Sequence, residues 1–170
     1  VKSAGTSLGK QTIINYVSYM TDSYLIFALT NYAAKLVKKE TSPKYYFMDT
    51  GLLGLMLLDC KSAQLENLVA IELIRRYGTE NIFYFENNVE IDFYVPSEKL
   101  AIQVSMQILD DIDTRERETR AFVKLRNFIP DSKCVIITNS EETSLTCDGI
   151  PISVIPAWKW LLESPEILNK

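Results

Sequence analysis

Four polar side chains on two neighbouring predicted strands could do chemistry together. Within NNVEIDFYVPSEKLAIQVSM, strand alternation places Glu90 and Asp92 on one face of the first strand. Gln103 and Ser105 lie on one face of the second. Two acids opposite a glutamate and a lysine would indicate a metal-dependent nuclease site, but those two places hold an amide and a hydroxyl. The pattern therefore predicts the shape of a nuclease site with altered chemistry.

A third acid lies on the preceding predicted helix, SAQLENLVAIELIRRYG. On a helical wheel Glu66 falls between Leu73 and Tyr77, within the apolar face, where a carboxylate needs a donor, a cation or a metal. Glu72 falls beside two arginines, which favours an ion-paired role. We therefore expect Glu66 to face the sheet near Asp92.

The elements that must position these acids follow from hydrophobic periodicity. After the helix, NIFYFEN, VEIDFYV and KLAIQVSM predict a three-strand meander. Then come the helix DTRERETRAFVKLRNF, the strands KCVIITN and ISVIP, and the helix AWKWLLE. This order predicts an α/β domain over residues 59–170 with a central mixed sheet flanked by helices.

Composition restricts the chemistry. The chain of 170 residues has 47% hydrophobic residues, which is enough for a buried core, and it contains no histidine, which removes imidazole general bases and Ser-His-Asp triads. Its three cysteines form no C-x-x-C pair, as is typical of reduced thiols. Apolar runs are too short to span a membrane, so we expect a cytoplasmic protein without a membrane partner.

Charge is unevenly distributed along the chain. Residues 1–50 carry six lysines against three acids, a net charge of +3, so with −4 overall the remainder carries −7. A helix, a hairpin of two strands joined by a polar connection, and a short helix that begins at Gly51 predict a small winged-helix-like domain over residues 1–58. Lys35, Lys38 and Lys39 in the connection are the predicted nucleic-acid contacts, although an ordinary solvated loop remains an alternative. GTSLGKQT lacks the P-loop spacing, so no ATP site is predicted here.

The order and spacing of several segments resemble the C-terminal region of a family of prokaryotic AAA+ type ATPases. That region has a winged helix followed by a restriction-endonuclease-like domain of uncharacterised function. The resemblance rests on TIINYVSYMTDSYLI, SPKYYFMDTGLL, LENLVAIELIRR, NIFYFENNVEIDFYV, AIQV and VIPAWKWLL.

The resemblance implies a site in which a helix acid, a strand aspartate and a Glu-x-Lys hold Mg²⁺ and activate water. Glu66 and Asp92 match the two acids and are the candidate metal ligands, whereas Gln103 replaces the glutamate and Ser105 the lysine. Losing the cation together with a ligand charge predicts a degenerate site, with no catalytic residue assigned. Arg120 and Lys124 on the next helix are possible substitute cations, or they cover its surface or pair with Glu116, Glu118 or the sheet edge.

Three functional hypotheses follow. The chain is a non-catalytic DNA- or partner-binding module serving an upstream ATPase domain, a divergent nuclease using Mg²⁺, or a protein-interaction domain that regulates the ATPase. ATP would bind only upstream of this chain.

Overall fold

The computed structural model describes residues 9–37, 42–56 and 60–162. The helices are α1 Lys10–Asp22, α2 Tyr32–Val37, α3 Gly51–Met56, α4 Lys61–Tyr77, α5 Ile112–Leu125 and α6 Ala157–Leu162. The strands are β1 Ile26–Asn31, β2 Lys44–Phe47, β3 Phe83–Glu86, β4 Glu90–Val95, β5 Leu100–Ser105, β6 Lys133–Thr138, β7 Thr143–Cys147 and β8 Ile150–Pro156.

These strands form a mixed sheet in the order β2-β1-β3-β4-β5-β6-β8-β7. The pairs β1–β3, β5–β6 and β6–β8 are parallel, and the remaining neighbours are antiparallel. β3, β4 and β5 form the predicted meander. The prediction of an α/β fold with a central mixed sheet flanked by helices is confirmed.

The sheet separates two hydrophobic cores. On one face, α4 and α6 pack through residues such as Val69, Leu73 and Trp160. On the other face, α5 packs through Phe122 and Leu125. Each helix therefore buries its apolar stripe against the sheet, and the two long helices lie on opposite faces of β4 and β5.

The first two strands belong to this same sheet. β2 pairs antiparallel with β1, as predicted for a hairpin, but β1 also pairs with β3 through Thr30 and Asn31. The Asn31 side chain strengthens that junction, because its amide donates to the Glu86 carbonyl and its oxygen accepts the Glu86 N–H, at 2.9 and 3.0 Å. Strands from both sides of the predicted boundary near residue 58 thus belong to one sheet, and the division into a winged helix and a second domain stays a prediction.

Two elements were missing from the sequence-based interpretation. α2 lies in the stretch predicted to be a polar connection, and β7 lies between the predicted strands β6 and β8. β7 is a short strand with a half-exposed pattern at the end of the sheet, so it lacks the apolar run that reveals a buried strand.

Glu72 forms an ion-pair cluster at the C-terminal end of α4. It accepts hydrogen bonds from Arg75 and Arg76, as its wheel position predicted, and these bonds lower the pKa of its carboxyl. The Arg76 guanidinium also donates to the Trp160 carbonyl at 2.7 Å and lies 4.3 Å from the Trp160 ring. Arg76 therefore connects α4 to α6.

No helix within the described ranges is long and apolar enough to cross a membrane.

Candidate functional site

The candidate site forms where β4 and β5 separate. Their backbone pairing extends from Val95 opposite Leu100 to Phe93 opposite Ile102. Beyond that point the Gln103 side chain bridges the two strands: its Oε1 accepts the Asp92 N–H at 2.9 Å, and its Nε2 donates to the Glu90 carbonyl at 3.1 Å. Gln103 thus satisfies backbone groups that a regular ladder would have paired.

A β-bulge in β4 between Ile91 and Tyr94 changes which side chains face each core. Phe83 of β3 is opposite Tyr94, but Phe85 is opposite Ile91, so β4 holds one extra residue in this interval. As a result Ile91 and Tyr94 face the α5 core, whereas Phe93 faces the α4 core. The prediction that successive β4 side chains alternate regularly between the two faces is therefore wrong, because the bulge shifts the alternation by one residue.

Asp92 is nonetheless held firmly in the gap between the strands. Its Oδ2 accepts the Val104 N–H at 2.8 Å. Burial and the nearby Glu66 charge raise the pKa of the Asp92 carboxyl to about 7, despite the Val104 hydrogen bond, which acts in the opposite direction. A carboxyl with this pKa is partly protonated at neutral pH.

Glu66 reaches the same place from α4. Its carboxylate accepts a hydrogen bond from the Tyr46 hydroxyl at 2.8 Å, which supplies the donor that its apolar surroundings require. Burial and the charge of Glu66 raise the Tyr46 pKa, so this hydroxyl remains a donor. Tyr46 lies on β2, and the structure therefore joins the first part of the chain to the candidate site.

A cavity of about 450 Å³ brings these groups together across the opening in the sheet. Its lining includes carboxylates from α4, β4 and α5 and cations from α5: Glu66, Glu90, Asp92, Glu118, Arg117, Arg120 and Lys124. Gln103 also lines it, whereas Ser105 does not: the Ser105 hydroxyl is buried and donates to the Gln107 carbonyl at 3.0 Å. Glu66, Glu90, Asp92 and Gln103 therefore line one cavity, whereas Ser105 lies apart from them.

The α5 wall of the cavity carries three exposed cations. Arg117 pairs with Glu118 at 2.7 Å, and Arg120 pairs with Glu116 at 3.2 Å, one of the alternatives predicted for it. Lys124 is exposed at the same wall. The cations thus surround the cavity opening without reaching Asp92 through a direct hydrogen bond.

Sequence analysis missed Lys44, which supplies a cation from β2. Its ammonium forms an ion pair with Glu90 and lies 5.2 Å from the centre of the Tyr84 ring. Burial acts against its charged form, but the Glu90 hydrogen bond and the charges of Asp92 and Glu66 outweigh burial and raise the Lys44 pKa. The sequence places Lys44 two residues before Tyr46, so the two side chains share a face of the strand. This spacing indicates a role for Lys44 in the site only when the position of β2 in the sheet is known.

The predicted nucleic-acid contacts are largely outside the described residues. Lys38 and Lys39 lie there entirely, and Lys35 is described only as a backbone position in α2. Their role stays a prediction.

These residues do not fit the Mg²⁺ site that the resemblance implies. Gln103 uses its oxygen to accept a backbone N–H, Ser105 lies outside the cavity, and Lys44 already neutralises Glu90. Within the part of the chain that the structure describes, no group of three or more carboxylate, thiolate or imidazole side chains is placed to hold a metal ion. The geometry is that of a cavity whose polar groups are satisfied by the protein itself.

Removing the Gln103 bridge should destabilise the fold. Gln103→Ala would leave the Asp92 N–H and the Glu90 carbonyl without partners at the opening between β4 and β5, at a cost of about 1–3 kcal/mol for each buried unpaired group. Urea unfolding should show a loss of roughly 2–4 kcal/mol in the free energy of unfolding. Gln107→Ala, which truncates an exposed glutamine, is the control, and an equal loss in both variants would contradict the bridging role.

Comparison with known proteins gives a match to a domain family and to an archaeal relative. Residues 2–64 match a family described as a domain of unknown function (DUF8612). An uncharacterized protein of Methanocaldococcus jannaschii is 34% identical over 172 residues, covering 95% of this chain and 38% of the relative. The chain thus spans less than two fifths of that relative's length. No solved structure matches.

Proposed function

We propose that this chain is a non-catalytic nucleic-acid-binding module with a degenerate nuclease-like site, serving as an accessory part of a prokaryotic AAA+ type ATPase. One observation carries the proposal. The carboxylates of the cavity already have hydrogen-bond or ion-pair partners within the protein, and exposed cations of α5 line the same cavity. The wall can contact phosphates, while Asp92 and Gln103 are held in hydrogen bonds to the backbone.

Loss of cleavage follows from the same contacts. Phosphodiester cleavage requires the negative charge of the transition state to be neutralised by a metal and a positioned cation. Here the amide of Gln103 bridges two strands, the position of the expected lysine holds Ser105, and Lys44 is paired with Glu90. Bound nucleic acid would therefore remain intact.

A salt titration tests binding. Replacing Arg120 and Lys124 together with alanine should reduce the slope of log affinity against log salt by up to about two phosphate equivalents, measured by fluorescence anisotropy with a labelled oligonucleotide. Lys35, Lys38 and Lys39 replaced together should reduce it by up to about three. The control is Lys10→Ala combined with Lys61→Ala, which removes the same charge as the first variant. Both lysines are exposed and lie outside the cavity lining, so the slope should stay unchanged.

Cleavage is tested on the same samples. Single-stranded, double-stranded and branched DNA, and RNA, incubated with Mg²⁺ or Mn²⁺ should show no cutting above an Asp92→Ala control. Metal-dependent cutting that is lost in that control would establish the alternative of a divergent nuclease, and salt-independent affinity would contradict nucleic-acid binding.

A second candidate function, a protein-interaction domain, is favoured by α1. None of its side chains is buried, and Ile14, Tyr16 and Tyr19 are 49–65% exposed. Exposed aromatic and aliphatic groups on one helix are typical of a surface that binds another protein. Ile14→Ser with Tyr19→Ser would weaken such an interaction while leaving the salt slope for nucleic acid unchanged.

The connection to an ATPase has its own test. Most of the archaeal relative lies outside the match, which leaves room for a further domain in that protein. A Walker A motif in the coding sequence upstream of Val1 would support the connection, and an upstream region without any nucleotide-binding motif would contradict it.

A further inference from the structure

Lys44 places a positive charge beside the carboxylates that line the cavity. It projects from β2 toward the beginning of β4 and forms its ion pair with Glu90 there. Its side chain is only 27% exposed, and the Tyr84 ring lies beneath the ammonium at 5.2 Å. Contacts on two sides therefore fix the position of this charge.

The same strand face also provides the partner of the next carboxylate. Tyr46 donates to Glu66, and its ring stacks against Phe27 at 5.6 Å and contacts Phe93 at 5.5 Å. β2 thus delivers one cation and one hydroxyl donor to two separate acids. A cation and a hydrogen-bond donor are the two kinds of partner that stabilise a buried carboxylate when no metal is bound.

We propose that Lys44 is a built-in cation that takes the electrostatic place of a divalent metal beside Glu66, Glu90 and Asp92 and closes this cavity to metal ions. The inference rests on the proposed loss of cleavage and gives it a cause beyond Gln103 and Ser105. Burial acts against the charged form of Lys44, but the Glu90 hydrogen bond and the negative charges of Asp92, Glu90 and Glu66 outweigh it, so the Lys44 pKa is raised and the cation persists in this cavity.

Removal of this cation should therefore create a metal site. In Lys44→Met the carboxylates that line the cavity would lose their cation on the β2 side, while the cavity keeps its acids. Small divalent cations can bind through one or two carboxylates while water fills their other coordination positions, so a third carboxylate ligand is not required. Deleting one positive charge beside these carboxylates should strengthen Mn²⁺ binding by at least about tenfold.

The experiment measures Mn²⁺ affinity by electron paramagnetic resonance of the free ion, with circular dichroism to verify folding. Lys44→Met should bind Mn²⁺ at least about tenfold more tightly than the wild-type chain. Lys44→Gln should show the same gain, and it keeps a hydrogen-bond donor for Glu90 if the methionine variant fails to fold. Lys44→Arg retains the charge and should match the wild type, as should the exposed control Lys10→Met.

Adding Asp92→Asn to Lys44→Met should remove the gain, which locates the ion in this cavity. Equal affinity in the wild type and in both neutral variants would overturn the inference, as would a gain that survives Asp92→Asn. The proposed function fails by a different result, namely metal-dependent cleavage by the wild-type chain, so the two failures are distinguishable.

Discussion

Arg76→Ala should lower the free energy of unfolding by about 3–5 kcal/mol, the range expected when one partner of a buried ion pair is removed. The Arg76 side chain is 2% exposed and pairs with Glu72 at 2.6 Å. Its loss removes hydrogen bonds to Glu72 and to the Trp160 carbonyl, together with the contact with the Trp160 ring. α4 and α6 would then lose this polar connection and keep their apolar contacts.

Urea unfolding measures this loss, and Arg75→Ala is the matched control. Arg75 binds the same carboxylate, but its side chain is 69% exposed, so its removal should cost no more than about 1 kcal/mol. Tryptophan emission gives a second readout, because Trp160 is buried whereas Trp158 is exposed. In Arg76→Ala the emission of Trp160 should become more like that of an exposed tryptophan. Equal losses in the free energy of unfolding in Arg76→Ala and Arg75→Ala would refute the expected difference between the two arginines.

The second large effect concerns pH. Because the pKa of Asp92 is about 7 in the folded chain against an ordinary value of 3.8, the folded state binds more protons than the unfolded state between these values. Stability from this group is therefore fully present below about pH 4 and is lost as pH rises through about 7. At 1.36 kcal/mol for each pKa unit, the change approaches about 4 kcal/mol as an upper value.

Asp92→Asn should remove this pH dependence. The asparagine oxygen can still accept the Val104 N–H, while the buried charge beside Glu66 is gone, so the variant should be more stable than the wild type at pH 8 and more stable by a smaller margin at pH 5. Urea unfolding at both pH values tests this. Asp131→Asn, at an exposed position, should leave the difference between the two pH values intact. An unchanged pH difference in Asp92→Asn would show that Asp92 is not the source.

The sequence allowed much of the fold to be predicted, because the long helices and the three meander strands have strong local periodicity. Glu66 and Asp92 could be placed on facing elements for the same reason. The bulge in β4 could not be predicted, since it appears only in the register between Phe83 and Phe85 and their partners on β4. Lys44 and Tyr46 were assigned no site role, because the position of β2 in the sheet depends on contacts distant in sequence.

The parallel pairing of β1 with β3 has a consequence for any attempt to divide the chain at the predicted domain boundary. A protein beginning at residue 59 would lack β1 and β2, so β3 would become an edge strand with its hydrogen-bonding groups open. Phe93 would lose the cover of Tyr46, and Glu66 its hydroxyl partner. We expect such a truncated chain to self-associate through β3, whereas the chain that retains β1 and β2 keeps that strand protected.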